Sequence, residues 1–222
     1  MASPERAQIC RSFFKTGPGE YGAGDQFIGL TVPQVRQLAL QFRHLSLRET
    51  KQLLRSPLHE ERLLALLILV GAYGAGDSAV QERIYKTYLR STRSINNWDL
   101  VDTSAPQIVG AYLAARSQLP LHRLARSRSL WERRIAIIAT FYFIRLNNFT
   151  PTLTIARKLL FDQEDLIHKA VGWMLREVGK RDQAVLVGFL QLHYRQMPRT
   201  MLRYAIERFP ERSRQQYLRG LI

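Results

Sequence analysis

Trp98 and Asp102 lie four residues apart inside the segment NWDLVD. On a helix that spacing stacks both side chains on one face. An indole beside a carboxylate, in a chain of formal charge +15, suits a cationic group carried on a polyanion: the ring face attracts the positive charge and the carboxylate opposes it. A base-alkylated nucleotide in DNA is such a group. The same pair also fits a plain structural arrangement, with Trp98 anchoring a core and Asp102 pairing with one of many arginines.

Two further clusters combine aromatic and basic residues. Trp131 precedes Arg133 and Arg134, and Lys169 stands four residues before Trp173. Adjacent arginines on a helix point about 100° apart, so at most one of Arg133 and Arg134 can face a common groove. Trp131 also reads as a hydrophobic staple, and Trp173 as a core residue with Gly172 beside it allowing close helix packing. The five histidines, His44, His59, His122, His168 and His193, are dispersed, and Cys10 is alone. Neither pattern suggests a metal site, so no metal is expected. No glycine-rich phosphate-binding fingerprint occurs, so no cofactor is expected either. The tetrapeptide GAGD occurs twice, ending at Asp25 and at Asp77, and reads as a turn both times.

Composition points to the same class of partner. The chain has 222 residues, with 33 Lys and Arg against 18 Asp and Glu, and 27 of the basic residues are arginine. Arginine favours bidentate contacts with phosphate, and nucleic acid is the leading polyanion for such a chain. A lone cysteine fits a reducing cytoplasm. The longest apolar run, Leu63 to Tyr73, falls short of a membrane span, and MASPERAQIC lacks the apolar core of a signal peptide.

The elements that must position these residues are helices throughout. Apolar residues recur at helical spacing, as in Val35, Leu38, Ala39, Phe42 and in Ile135, Ile138, Ala139, Tyr142. Ser46 with Glu49 and Ser129 with Glu132 predict capping boxes, and Pro33, Pro151 and Pro198 predict helix starts. Gly17 to Gly24 should break the first helix from the second, Gly71 to Gly76 should close another, and Pro106 should interrupt the NWDLVD helix. The segments beginning HEERLLAL, NWDLVD, WERRIAII, IHKAVGWM and PRTMLRYA start roughly 30 to 40 residues apart, the period of stacked helix pairs. The expectation is an all-α, HEAT-like helical repeat solenoid with a concave basic groove, forming a single domain over residues 1–222. A globular helical bundle is the alternative.

The motifs FIGLTVPQVRQL, NNWDLVD, WERRIAII, HKAVGWMLREVGKRD and PRTMLRYAIERF resemble the AlkD family of bacterial DNA glycosylases built on HEAT-like repeats. The resemblance runs from about Phe27 to about Phe209. It implies Asp102 as the catalytic carboxylate, Trp98 and Trp173 as aromatic walls around the lesion, and Arg134 as a DNA-contacting arginine. Lys169 then reads as a phosphate contact, or as the amine of a bifunctional glycosylase. Tyr21 stands near a family tyrosine, but the approach to FIGL differs in length, and it is left outside the catalytic set. The implied activity is monofunctional removal of cationic N3- or N7-alkylated purines from double-stranded DNA, leaving an abasic site, without a closed base-flipping pocket. A monomeric, cytoplasmic bacterial protein acting on DNA is expected. The alternative from another class is a noncatalytic helical-repeat scaffold that binds nucleic acid.

Overall fold

A computed structural model describes residues 2–222, and among them every regular element is helical. A single isolated bridge pairs Gln26 with Leu58. The chain forms two compact units, Met1–Tyr112 and Leu113–Ile222.

The first unit opens with α1 (Pro4–Phe13), α2 (Val32–Gln41) and α3 (Leu47–Leu53) and is built on α4 (His59–Ala75), against which α2, α3, α5 (Ser78–Arg90) and α6 (Trp98–Ala105) pack. Leu63, Leu66 and Leu69 of α4, Tyr88 of α5 and Leu100 and Val101 of α6 are almost fully buried. Sequence signals account for several ends. Ser46 and Glu49 form the full capping box of α3, and Thr31 with Gln34 forms one on α2 that the sequence reading missed. The glycines from Gly17 to Gly24 do separate α1 from α2, but Gly71 and Gly74 lie inside α4, which runs on to a cap at Gly76. Apolar burial along α4 outweighs the roughly 1 kcal/mol that a helical glycine costs. Pro106 ends α6 as expected, and the chain continues through a π-helical turn (Pro106–Gly110) into the short α7 (Ala111–Leu113).

The second unit contains α8 (Leu119–Leu124), α9 (Leu130–Ile138), α10 (Phe141–Arg145), α11 (Thr150–Lys158), α12 (Asp165–Arg181), α13 (Gln183–His193), α14 (Arg199–Ala205) and α15 (Glu211–Arg219). Its centre is α12, which packs on α9, α10, α11, α13 and α14. A Cβ on Gly172 would stand 2.5 Å from the Met201 carbonyl oxygen and 2.5 Å from the Tyr204 Cβ, so glycine permits the close crossing of α12 and α14. The WERRIAIIATFYFIR stripe is two helices rather than one, parted at Ala139 and Thr140. Ser129 caps α9 through the Glu132 N–H, and Pro198 is the cap residue of α14 rather than part of its first turn.

Candidate active site

Trp98 opens α6, and Asn97 before it caps the helix, its side-chain oxygen accepting from the Trp98 N–H at 2.8 Å. Asp102 follows one turn later, and both residues are half-buried. They share the wall of an open cleft of about 500 Å³, bounded also by Phe13 of α1, Phe14 just after it, Phe27, and His59 and Leu63 of α4. The Trp98 indole stacks on Phe14 at 5.4 Å between ring centroids and meets the edge of Phe13 at 5.8 Å. This wall is apolar and aromatic, a surface that receives a flat cationic ring by its π-face.

Behind the cleft lies a buried ionic network. His59, 2% exposed, bonds Asp25 Oδ2 through Nδ1 at 2.9 Å and Asp99 Oδ2 through Nε2 at 2.8 Å. Ionised carboxylates only accept hydrogen bonds, so both ring nitrogens must donate and the ring is an imidazolium. Burial pushes its pKa down, yet the hydrogen bonds and charges of Asp25 and Asp99 outweigh that and lift it to about 9. Burial likewise opposes ionisation of Asp25, but His59, the Arg62 charge and the Asn97 amide hold its carboxyl below the usual carboxylate range. Arg62 pairs with Asp25 Oδ1, and Asn97 Nδ2 donates to Asp25 Oδ2 at 3.1 Å. Two carboxylates therefore face two cations, and the desolvation of each charge is offset by a partner.

The loop that delivers Asp25 is itself pinned. Glu60 accepts from the backbone N–H groups of Ile28 at 3.1 Å, Gly29 at 2.8 Å and Leu30 at 3.2 Å. Gly29 adopts a φ of +81°, and a Cβ there would stand 2.1 Å from the Ser3 carbonyl oxygen, so the FIGL turn requires glycine. The Tyr21 hydroxyl donates to the Phe13 carbonyl at 3.4 Å.

The first unit thus brings Trp98 and Asp102 together on one cleft. The remaining sequence candidates lie in the second unit. Arg134 is 5% exposed and donates to the Leu166 carbonyl at 2.6 Å. Its neighbour Arg133 grips Asp162 with Nε and Nη2 at 2.6 and 3.2 Å, so both adjacent arginines make internal contacts. Lys169 pairs with Asp165 at 2.7 Å while keeping 41% of its side chain exposed. Trp173, half-buried, donates from Nε1 to Glu177 at 3.1 Å, and its ring lies 6.1 Å from that of Phe141.

Sequence reading missed Asp25, His59, Glu60 and Asp99. From spacing alone the GAGD tetrapeptide ending at Asp25 reads only as a turn, and His59 as one dispersed histidine. The usable signal was local charge inside otherwise apolar helix starts, HEER and NNWD.

Among the described residues no group of three or more His, Cys, Asp or Glu could hold a metal ion, and no helix is long and apolar enough to cross a membrane. Comparison with curated proteins gives no significant match. A solved chain from Enterococcus faecalis, described as a predicted DNA alkylation repair enzyme, superposes with a TM-score of 0.72 at 15% identity, covering 95% of this chain and 98% of that one. At that identity the likeness concerns the fold, an all-helical, HEAT-like repeat architecture. The sequence model of the DNA alkylation repair enzymes matches residues 1–209, and the chain therefore belongs to that family.

Proposed function

We propose that this protein is a monofunctional DNA glycosylase that hydrolyses the N-glycosidic bond of cationic N3- or N7-alkylated purines in double-stranded DNA. The observation that carries the reading is the pairing of Trp98 and Asp102 on the wall of one aromatic cleft, in a chain whose family repairs alkylated DNA. Alkylation at N3 or N7 leaves the base positively charged, so it departs neutral and needs no proton from a general acid. The difficult charge develops on the deoxyribose as the bond breaks. A carboxylate about 4 Å from that charge, at an effective dielectric near 20, supplies on the order of 4 kcal/mol of attraction before desolvation. Roughly a thousandfold in rate corresponds to that energy.

In this reading Asp102 stabilises the sugar cation and orients the water that completes hydrolysis. Trp98, braced by Phe14, offers its face to the cationic nucleotide. Recognition runs through lesion charge and the DNA backbone, because the cleft is open and its exposed surface is apolar rather than lined with donors and acceptors that read a base edge. In the second unit we assign Lys169 to a phosphate contact and Trp173 to an aromatic contact with the DNA.

The test is base release from randomly methylated DNA, scored by chromatography of the freed purines. Release of 3-methyladenine or 7-methylguanine, without release of uracil or hypoxanthine from matched duplexes, is the expected result. DNA binding with no base released would favour the noncatalytic scaffold.

A further inference from the structure

We propose that His59 is a positioning residue for base excision: by bonding Asp25 through one ring nitrogen and Asp99 through the other, it fixes the rotation of α6 and so the places of Trp98 and Asp102. The inference rests on the glycosylase reading above and adds to it a residue that acts through α6. His59 is 2% exposed and both ring nitrogens are occupied, so neither nitrogen is free to bond substrate.

The geometry explains why α6 needs such an anchor. It has only eight residues, and Pro106 follows it into a π-helical turn, so regular hydrogen bonding does not carry its register onward. Its orientation is instead set at its first turn. Asn97 caps the Trp98 N–H while bonding Asp25, and Asp99 is held by His59. Asp25 joins these two attachments, and Arg62 pins Asp25 to α4. Side-chain tips ride about 5 to 6 Å from a helix axis, so a rotation of roughly 10° moves a carboxylate by about 1 Å. A misplacement of that size costs up to about a hundredfold in rate.

A second path runs through the rings. His59 stacks on Phe27 at 4.6 Å and lies 4.9 Å from Phe14, whose ring stacks in turn on Trp98. The imidazolium thus backs Phe14, and Phe14 in turn backs the indole. Losing its proton removes one donor, since a neutral imidazole cannot donate to both carboxylates.

The groups facing His59 are Asp25 from the preceding loop, Asp99 from α6, and Glu60 and Arg62 on its own helix. Arg6 and Cys10 of α1 and Asp102 of α6 line the same cleft. Burial, with the charges of Glu60 and Asp99, pushes the Cys10 thiol up, so it titrates above its ordinary value. The variant Cys10→Ser removes this thiol as a source of any alkaline transition.

The experiment compares wild type, His59→Gln, Asp99→Asn and Cys10→Ser from pH 6 to 10, measuring single-turnover excision of a cationic alkylpurine and affinity for the same duplex. Wild type and Cys10→Ser should lose excision as pH rises through about 9, without a matching loss of affinity. His59→Gln should be about 10- to 100-fold slower at neutral pH, bind DNA within about threefold of wild type, and lack the alkaline limb. If His59→Gln does not unfold cooperatively, Asp99→Asn carries the comparison, with a loss of about 3- to 30-fold in rate and not in affinity. Wild-type rates in either folded variant, or equal losses in rate and affinity, overturn the proposal. Should wild type release no base, the glycosylase reading fails, and fluorine NMR of 5-fluorotryptophan at Trp98 still decides the role of His59. A resonance that titrates near pH 9 in wild type and not in His59→Gln supports positioning, while a signal unaffected by pH and by the variant contradicts it.

Discussion

The helices α4 and α12 are both 17 residues long, and each is the element on which its own unit is built. Their first turns are treated in opposite ways. At the start of α4, His59, Glu60 and Arg62 are all buried and engage Asp25, Asp99 and the backbone of the FIGL turn. At the start of α12, Asp165 and Lys169 pair with each other, both more than two-fifths exposed, an arrangement worth only a few tenths of a kcal/mol. Buried charges hold one geometry at a high cost for any defect, whereas exposed ones adapt to whatever approaches. The first suits a carboxylate that must meet one atom of a transition state, and the second suits contact with a phosphate backbone.

Breaking the buried side should have the largest effect on stability. Asp25→Ala leaves His59 and Arg62 without their shared carboxylate, and a loss of about 3 to 5 kcal/mol in unfolding free energy is expected from denaturant titration. The pH dependence follows from His59, whose pKa in the fold is raised to about 9. Its contribution is full below its ordinary value near 6.5 and is lost as pH rises through about 9. The depressed pKa of Asp25 acts in the other direction, its contribution being lost as pH falls through that lowered value. Wild type should therefore be less stable at pH 9.5 than at pH 7, and Asp25→Ala should show a much smaller difference.

An intermediate effect is expected at Arg134. Because it is buried and donates to the Leu166 carbonyl, Arg134→Ala should cost about 1 to 3 kcal/mol of stability and leave the salt dependence of DNA binding nearly unchanged. A salt slope reduced by about one unit, with an unaltered melting temperature, would instead make this arginine a phosphate contact.

The smallest effect belongs to Lys169. Its replacement by alanine should leave stability within about 0.5 kcal/mol and lower the slope of log affinity against log salt by about one unit. Borohydride added during turnover should trap no protein–DNA adduct. A trapped species that disappears in Lys169→Ala would mean that the amine attacks the sugar and that the enzyme is bifunctional.

The contrast between the two GAGD copies shows what sequence could and could not reveal. The first copy is a turn, as its glycines imply, whereas in the second Gly74 and Ala75 still belong to α4 and Gly76 caps it. Asp77 ends its copy exposed, capping α5 by accepting from the Val80 N–H three residues on. That role is local and readable from spacing. Asp25 ends the other copy buried, with partners 34, 37 and 72 residues away. Helical periodicity assigns residues to faces of their own helix, so it located Trp98 and Asp102 on one side of α6 and the apolar stripe of α4. It carries no information on which loop folds back against which helix start, and the ionic network consists of such long-range pairs. Arg133 and Arg134 show the same limit: spacing shows that they diverge, but the carboxylate and carbonyl that they bond come from residues 162 and 166.

The most direct test of the central claim is the single-turnover excision rate of Asp102→Asn on a duplex carrying one cationic alkylpurine, measured beside its affinity for that duplex. The amide keeps the shape of the side chain and removes the charge. A loss of about a thousandfold in rate, with affinity within about threefold of wild type, is the expected result, corresponding to roughly 4 kcal/mol of stabilisation confined to the transition state. A rate near that of wild type would remove Asp102 from the chemistry and the glycosylase mechanism with it.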